Sequence, residues 1–385
     1  MPDNSVRNHV VRDVPKLLWG DQETYTDDLM VISALRTVLD HMGMKYSKAY
    51  LAGVSAAAFD AGWLCTSVST GADGAIYAYS NHFERGIENA FRAIGRECQI
   101  TYRTVGEALW GQSVQSIDRG RPLVALESPL KSPLDHFAVI AGYDRQQKTF
   151  LARRYGTPKE TPDAYVPLTV DDVAWILTVG EPAPKSSPAG AFRNSLHIAV
   201  TNAKAGPNSP ATRHGGKPYP LVYGPQVFKE HARIIPEQLD PGGPGYDWKE
   251  HVLIWRLDAL SLARAYAVEY LQENQDLLGP QAAQHIHLAV QKYCQVLGLL
   301  ASCNIKGGTP PTEIRGMEIA VQPAHIRLLG PEERIAWVED GVARPMAQFL
   351  STVRNRQRLA EWHLHIGALE EGAIQEIEKA LAAAE

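Results

Sequence analysis

Between Gly120 and Arg154 the sequence passes through three short apolar stretches separated by turn residues. Pro122-Leu123-Val124-Ala125-Leu126 comes first, introduced by Gly120-Arg121. His136-Phe137-Ala138-Val139-Ile140-Ala141 follows and closes on Gly142-Tyr143-Asp144, and Thr149-Phe150-Leu151-Ala152 comes third. Runs of this length, bounded by Gly, Pro and Asp and rich in branched and aromatic residues, read as buried strands of one sheet. His136 stands at the mouth of the middle strand, where a rigid sheet would hold its imidazole in place.

The flanking segments read as helices and further strands. A helix starting at Thr26, Asp27 or Asp28 carries Val31, Ala34, Leu35, Val38, Leu39 and Met42 on one stripe, and Gly43 stops it. A second amphipathic helix spans about Phe83 to Ile94, a strand Cys98 to Tyr102, and a short helix Val105 to Asp118. Leu196 to Thr201 reads as one more strand. Helices first and then a mostly antiparallel sheet is an α+β pattern, not alternating βαβ.

Beyond the irregular run 205–220 the composition turns helical. Stripes cover about Gln226 to Ile235, Trp248 to Gln272, Pro280 to Ala301 and Ala347 to Ala384, the last divisible at Gly367. The expected layout is therefore an N-terminal arm at 1–20, an α+β domain at 21–204, a linker at 205–220 and an all-α region at 221–385. The seam from Ile286 to Leu300 can pair two copies of the chain as a homodimer, or pair helices within one.

Composition removes several function classes. A net charge of -5 over 385 residues leaves no basic footprint for nucleic acid. No stretch approaches eighteen apolar residues, so no membrane span is expected. The polar first fifteen residues lack the apolar core of a signal peptide. Four cysteines, Cys65, Cys98, Cys294 and Cys303, have no paired spacing, which suits free thiols in a cytoplasmic protein. His285-Ile286-His287 and His363-Leu364-His365 sit on expected helices, where residues two apart diverge, so no metal site and no cofactor is expected.

Gln22, the helix from Asp28 to Met42, Gly120-Arg121-Pro122, and His136-Phe137 leading to Gly142-Tyr143-Asp144 together resemble the papain-like cysteine peptidase fold. The resemblance is to its bacteriocin-leader-peptidase-like branch and to the N-terminal domain of the butirosin-biosynthesis acyltransferase type. It implies helices packed on a mostly antiparallel sheet, with His136 as catalytic base and Gln22 as oxyanion donor. It also implies a thiolate at the start of the first helix, where the dipole and an imidazolium would stabilise it. At that place the sequence has Asp28, Leu29 and Met30, and where an orienting Asp would follow the His strand it has Arg153-Arg154-Tyr155.

Asp28 can face His136 as a carboxylate–imidazole pair, and it can equally cap its own helix. Cys65, after Trp63-Leu64, is the thiol that could replace the missing nucleophile; the alternative is simple packing. Gly53-Val54-Ser55-Ala56-Ala57 partly matches a nucleophile elbow, although its small residues suit a close chain crossing better. Glu361, Glu370 and Glu371 read as a charged helix face. Arg153 and Arg154, with Tyr155 and Trp63, would receive an anionic substrate. The resemblance thus implies acyl transfer, amide formation or hydrolysis on an amide, ester or thioester of a small molecule, free or carrier-bound. The missing Cys and Asp suit the other reading, an inactive relative that binds a small molecule or a protein partner in the same cleft.

Overall fold

The computed structural model describes residues 8–15, 17, 30–60, 62–64, 83–103, 106–127, 137–154, 165–205, 213–214, 217–218, 221–300, 313–320, 325–329, 334–339 and 342–384. The N-terminal half begins with β1 (Asn8–Val10), α1 (Met30–His41), α2 (Lys48–Val54) and β2 (Gly62–Leu64). Next come α3 (Phe83–Ile94), β3 (Arg96–Tyr102), α4 (Gly106–Asp118), β4 (Leu123–Glu127), β5 (Phe137–Asp144) and β6 (Thr149–Arg154). β7 (Val166–Thr169) and β8 (Val173–Pro182) complete the sheet, and α5 (Pro188–Lys204) follows.

The sheet is antiparallel throughout, in the order β3-β8-β4-β5-β6-β7, with β1 added along the far end of β5. Every residue of β4 is buried, as is β5 up to its last residue, so both faces of the centre are covered. Trp110 of α4 closes one face: its ring lies 5.0 Å from Phe150 and 6.1 Å from Tyr143. Phe137 and Trp175, linked through Leu126 in the register, meet edge-on over the opposite face, at 5.8 Å. That face falls to α1, which packs against β4 and β5 with Val31, Ala34, Leu35, Val38 and Leu39 all buried. The apolar stripe expected for this helix is therefore its core face.

The 196–201 segment is helical. Ser187 caps α5 by accepting the Gly190 N–H, and Pro188 supplies a preset first turn. Leu196 and Ala199 are buried while Val200 is only partly so, a helical spacing that overrides the β-branched residues.

The C-terminal half opens with the short pairs β9 (Arg213–His214) and β10 (Lys217–Pro218), then β11 (Leu221–Tyr223), which pairs with β2. Three long helices carry it, α7 (Tyr246–Asn274), α8 (Pro280–Leu300) and α10 (Val353–Ala383), with α6 (Gln226–Gln238) and α9 (Met346–Leu350) beside them. A hairpin, β12 (Glu313–Ile314) with β13 (Met317–Glu318), interrupts this helical region. So does a three-stranded sheet of β14 (His325–Leu329), β15 (Arg334–Glu339) and β16 (Val342–Pro345), which the helical reading of the sequence missed. α10 runs unbroken through Gly367. A Cβ there would come within 2.8 Å of the Phe228 Cβ, so this glycine admits α6 against α10 and does not end the helix.

Among the described residues, two hydrophobic clusters fill the interior. One joins the sheet and α1 to α5 with the later half of α7, most of α8 and the last turns of α10. The second holds α6, the first half of α7, Trp337, α9 and the first half of α10. His363 and His231 lie buried inside this second cluster with their rings 6.1 Å apart. His363 Nδ1–H donates to the Leu359 carbonyl, and burial pulls its pKa down to about 4, so the ring is neutral.

Candidate functional site

The chemistry-bearing groups gather where β4 ends, β5 begins and β6 ends. In register, Leu126 of β4 faces Phe137 of β5, while Ala138 and Val139 of β5 face Arg154 and Arg153 of β6. Paired residues share a sheet face and successive residues alternate, so the two arginines point to opposite faces. Arg154 reaches over β5 to the carboxylate of Glu127 on the next strand, Nε to Oε1 at 2.6 Å. The methyl side chain of Ala138 on the intervening strand leaves room for this span.

Glu127 is the unusual member of this cluster. Its side chain is 6% exposed and Arg154 is 27% exposed, so the pair has one dry end and one wetter end. Burial drives the Glu127 pKa up to about 7; Arg154 pulls it down, and nearby Asp172 adds repulsion. Asp172 is fixed in a 3-10 turn at Val170–Asp172, where its Oδ2 accepts from the Thr169 N–H and hydroxyl, both at 2.7 Å. A carboxyl that exchanges its proton near neutrality is matched to general acid–base work. On the opposite face, the Arg153 guanidinium lies 4.0 Å above the centre of the Tyr165 ring.

Of the residues singled out from sequence, Gln22, Asp28, Cys65, His136 and Tyr155 lie outside the described residues. Trp63 is on β2, paired in register with Val222. Arg153 and Arg154 are the two brought to the end of the sheet, one stacked on Tyr165 and one on Glu127. Glu127 was not singled out, though a signal existed: Leu123-Val124-Ala125-Leu126-Glu127 is a fully apolar strand that ends on a carboxylate.

Other candidate chemistry resolves into structure. Ser55 follows a helix and not a strand, is fully buried, and its Oγ donates to the Ala52 carbonyl at 3.2 Å, so no nucleophile elbow is formed. The small residues there serve a close crossing: a Cβ on Gly53 would sit 2.0 Å from the Tyr270 ring. Glu370 is not part of a solvated face either. It is 2% exposed and forks onto the fully buried Arg264 through two contacts of 2.7 Å, whereas Glu371 meets Lys229 at the surface. Burial pushes the Cys98 thiol to about 12 and Cys294 to about 11, which keeps both protonated at neutral pH.

Among the described residues no three His, Cys, Asp or Glu side chains are grouped to hold a metal ion, and no helix is long and apolar enough to cross a membrane. Comparison of the chain with protein-family models and with curated proteins gives no match.

Proposed function

We propose that this chain is an enzyme of papain-like layout that uses a His136–Glu127 pair for acid–base chemistry on an amide, ester or thioester of a small molecule. The observation that carries the reading is the carboxyl of Glu127, buried at the end of β4 with its pKa near 7. Glu127 is the residue after Leu126 and His136 the residue before Phe137, and Leu126 and Phe137 are paired. Glu127 would then orient the imidazole from the strand before it, in place of the acid that the papain-like resemblance calls for on the strand after it.

Residues 28–30 hold no Cys, Ser or Thr, and in this reading the attacking atom belongs to water, to an amine or hydroxyl of a second substrate, or to the Cys65 thiol as the replacement nucleophile. The imidazole takes the proton from that N–H, O–H or S–H as the nucleophile adds to the carbonyl carbon. It returns the proton to the leaving nitrogen, oxygen or sulfur as the tetrahedral intermediate collapses. No cofactor is required for this sequence of steps.

The absence of a side-chain nucleophile at 28–30 also supports a second reading, a binding protein that keeps the cleft without turnover. One experiment separates the two. The purified chain is incubated with a metabolite extract, and both bound and consumed compounds are followed by mass spectrometry. The same is done for His136→Gln and Glu127→Gln. The enzyme reading expects a compound consumed by the wild type and consumed at least about a hundredfold more slowly by both variants. A compound retained but never altered selects the binding protein. Profiles identical in all three proteins remove this site altogether.

A further inference from the structure

The spacing from Ile286 to Leu300 that could pair two copies of the chain is used inside one copy: Ile286, Val290, Tyr293, Leu297 and Leu300 of α8 are all buried. The same helix carries a second stripe on its outer side. Gln281, Gln284, Leu288, Gln291 and Gln295 are all exposed, and their alternating steps of three and four keep them on one line along the helix. Leu288, at the middle, is 41% exposed, and Leu277, in the turn ahead of the helix, is 38% exposed.

This face carries no charge. Lys292 is the only Lys, Arg, Asp or Glu between Pro280 and Leu300, and its side chain lies over Gly372 of α10, where a Cβ would come within 3.0 Å of the Nζ. Loss of charge, more than gain of apolar area, is what separates the middle of a protein interface from ordinary surface.

The stripe also reads the same from either end. Gln281 and Gln295 lie seven positions on either side of Leu288, with Gln284 four before it and Gln291 three after. Turned end for end, a second stripe interleaves with the first: Leu288 meets Leu288, Gln281 meets Gln295, and Gln284 lies beside Gln291. A two-fold contact has to be self-complementary in this way, and an amide is donor and acceptor at once, so it pairs with its own kind. The border toward α10 agrees. His285 Nδ1 meets Glu376 at 2.8 Å three positions before Leu288, and Lys292 lies four positions after it. Reversal brings Lys292 of one copy across from the His285–Glu376 pair of the other, so opposite charges face each other.

We infer that the outer face of α8 is a contact between two copies of this chain, antiparallel about a two-fold axis at Leu288. A helix of 21 residues outlines roughly 300–400 Å² on each copy. A standard interface covers about 800 Å² per partner, so this dimer is reversible, with a dissociation constant on the order of 10–100 µM.

Sedimentation velocity of the full chain from about 1 to 300 µM should show monomer passing into dimer. Leu288→Glu sets two carboxylates face to face at an exposed position and should raise the dissociation constant about tenfold or more. Leu288→Cys should form a disulfide between copies under mild oxidation, above the background set by the wild-type cysteines. Gln281→Cys alone should not, because two such residues stand fourteen positions, or about 21 Å, apart in the antiparallel pair. Mixed with Gln295→Cys, it should. A chain that stays monomeric throughout that range overturns the inference. So does a dimer indifferent to Leu288→Glu, or a Gln281→Cys variant that links to itself as readily as Leu288→Cys.

Discussion

A single carboxyl sets the chemistry at the end of the sheet. Glu127 ends a strand whose every residue is buried, and its ionised form has lost most of its water. One ion pair with Arg154 does not restore what hydration supplied, and Asp172 opposes ionisation further. Its folded pKa therefore lies above the ordinary value near 4.5, at about 7. Between those two values the folded chain binds more protons than the unfolded one. The stability Glu127 contributes is thus complete below about pH 4.5 and is lost as pH rises through 7. Glu127→Gln should match wild type at pH 4 and exceed it at pH 8 by on the order of 1–3 kcal/mol. Urea denaturation at both pH values measures this, and equal differences at the two would show that Glu127 is charged throughout.

At the scale of elements, Arg264 decides how the helices meet the N-terminal half. From α7 its guanidinium forks onto Glu370 of α10 and donates to the Ala58 carbonyl at 2.6 Å and the Asp60 carbonyl at 3.3 Å, just after α2. Arg264→Met leaves Glu370 buried without its cation and should cost about 3–5 kcal/mol. Adding Glu370→Leu should recover much of that loss, short of the part owed to the two carbonyls. Denaturant titration of the single and double variants gives the coupling, and a double variant no more stable than Arg264→Met would refute the account. Neither partner was legible in the sequence. Glu370 sits among Glu361 and Glu371 on a helix that reads as amphipathic, and its burial depends on an arginine more than a hundred residues earlier. What was legible depended on local order. The α3 stripe and the three central strands follow from spacing alone, and α1 follows from Val31 to Leu39. The strands β14 to β16 are short, and their apolar residues come in unbroken runs such as Ile335-Ala336-Trp337-Val338 and not in strict alternation, so no period marks them. Glu127 escaped because a carboxylate at a strand end reads as a turn residue until the strands on both sides are known.

Over the whole molecule, the break in composition at 205–220 does not coincide with a break in the core. Tyr270 of α7 packs among Tyr50, Phe59 and Phe192 of the N-terminal half, with its hydroxyl 3.1 Å from that of Ser195. Tyr293 of α8 also meets Phe59, its ring tilted at 40° and 6.3 Å away, and Ile374, Ile377 and Leu381 of α10 belong to the same apolar cluster as the sheet. The long helices thus hold one half of their length against the sheet and the other half around α6 and Trp337. Each buried aromatic or aliphatic side chain of this kind is worth about 1.5–3 kcal/mol when removed from water, and several are withdrawn at once if the helices are absent. Set against a net stability of about 5–15 kcal/mol for a whole domain, that loss is decisive. The fragment 1–204 expressed alone should therefore fail to reach a fixed tertiary structure, even though it contains the entire seven-stranded sheet. It should keep far-UV circular dichroism, lose the near-UV signal and bind a hydrophobic dye. Adding residues 221–385 as a second chain should restore the near-UV signal, because the surface they cover is present and waiting. A fragment 1–204 that unfolds cooperatively with native near-UV bands would show instead that the sheet and its own helices suffice.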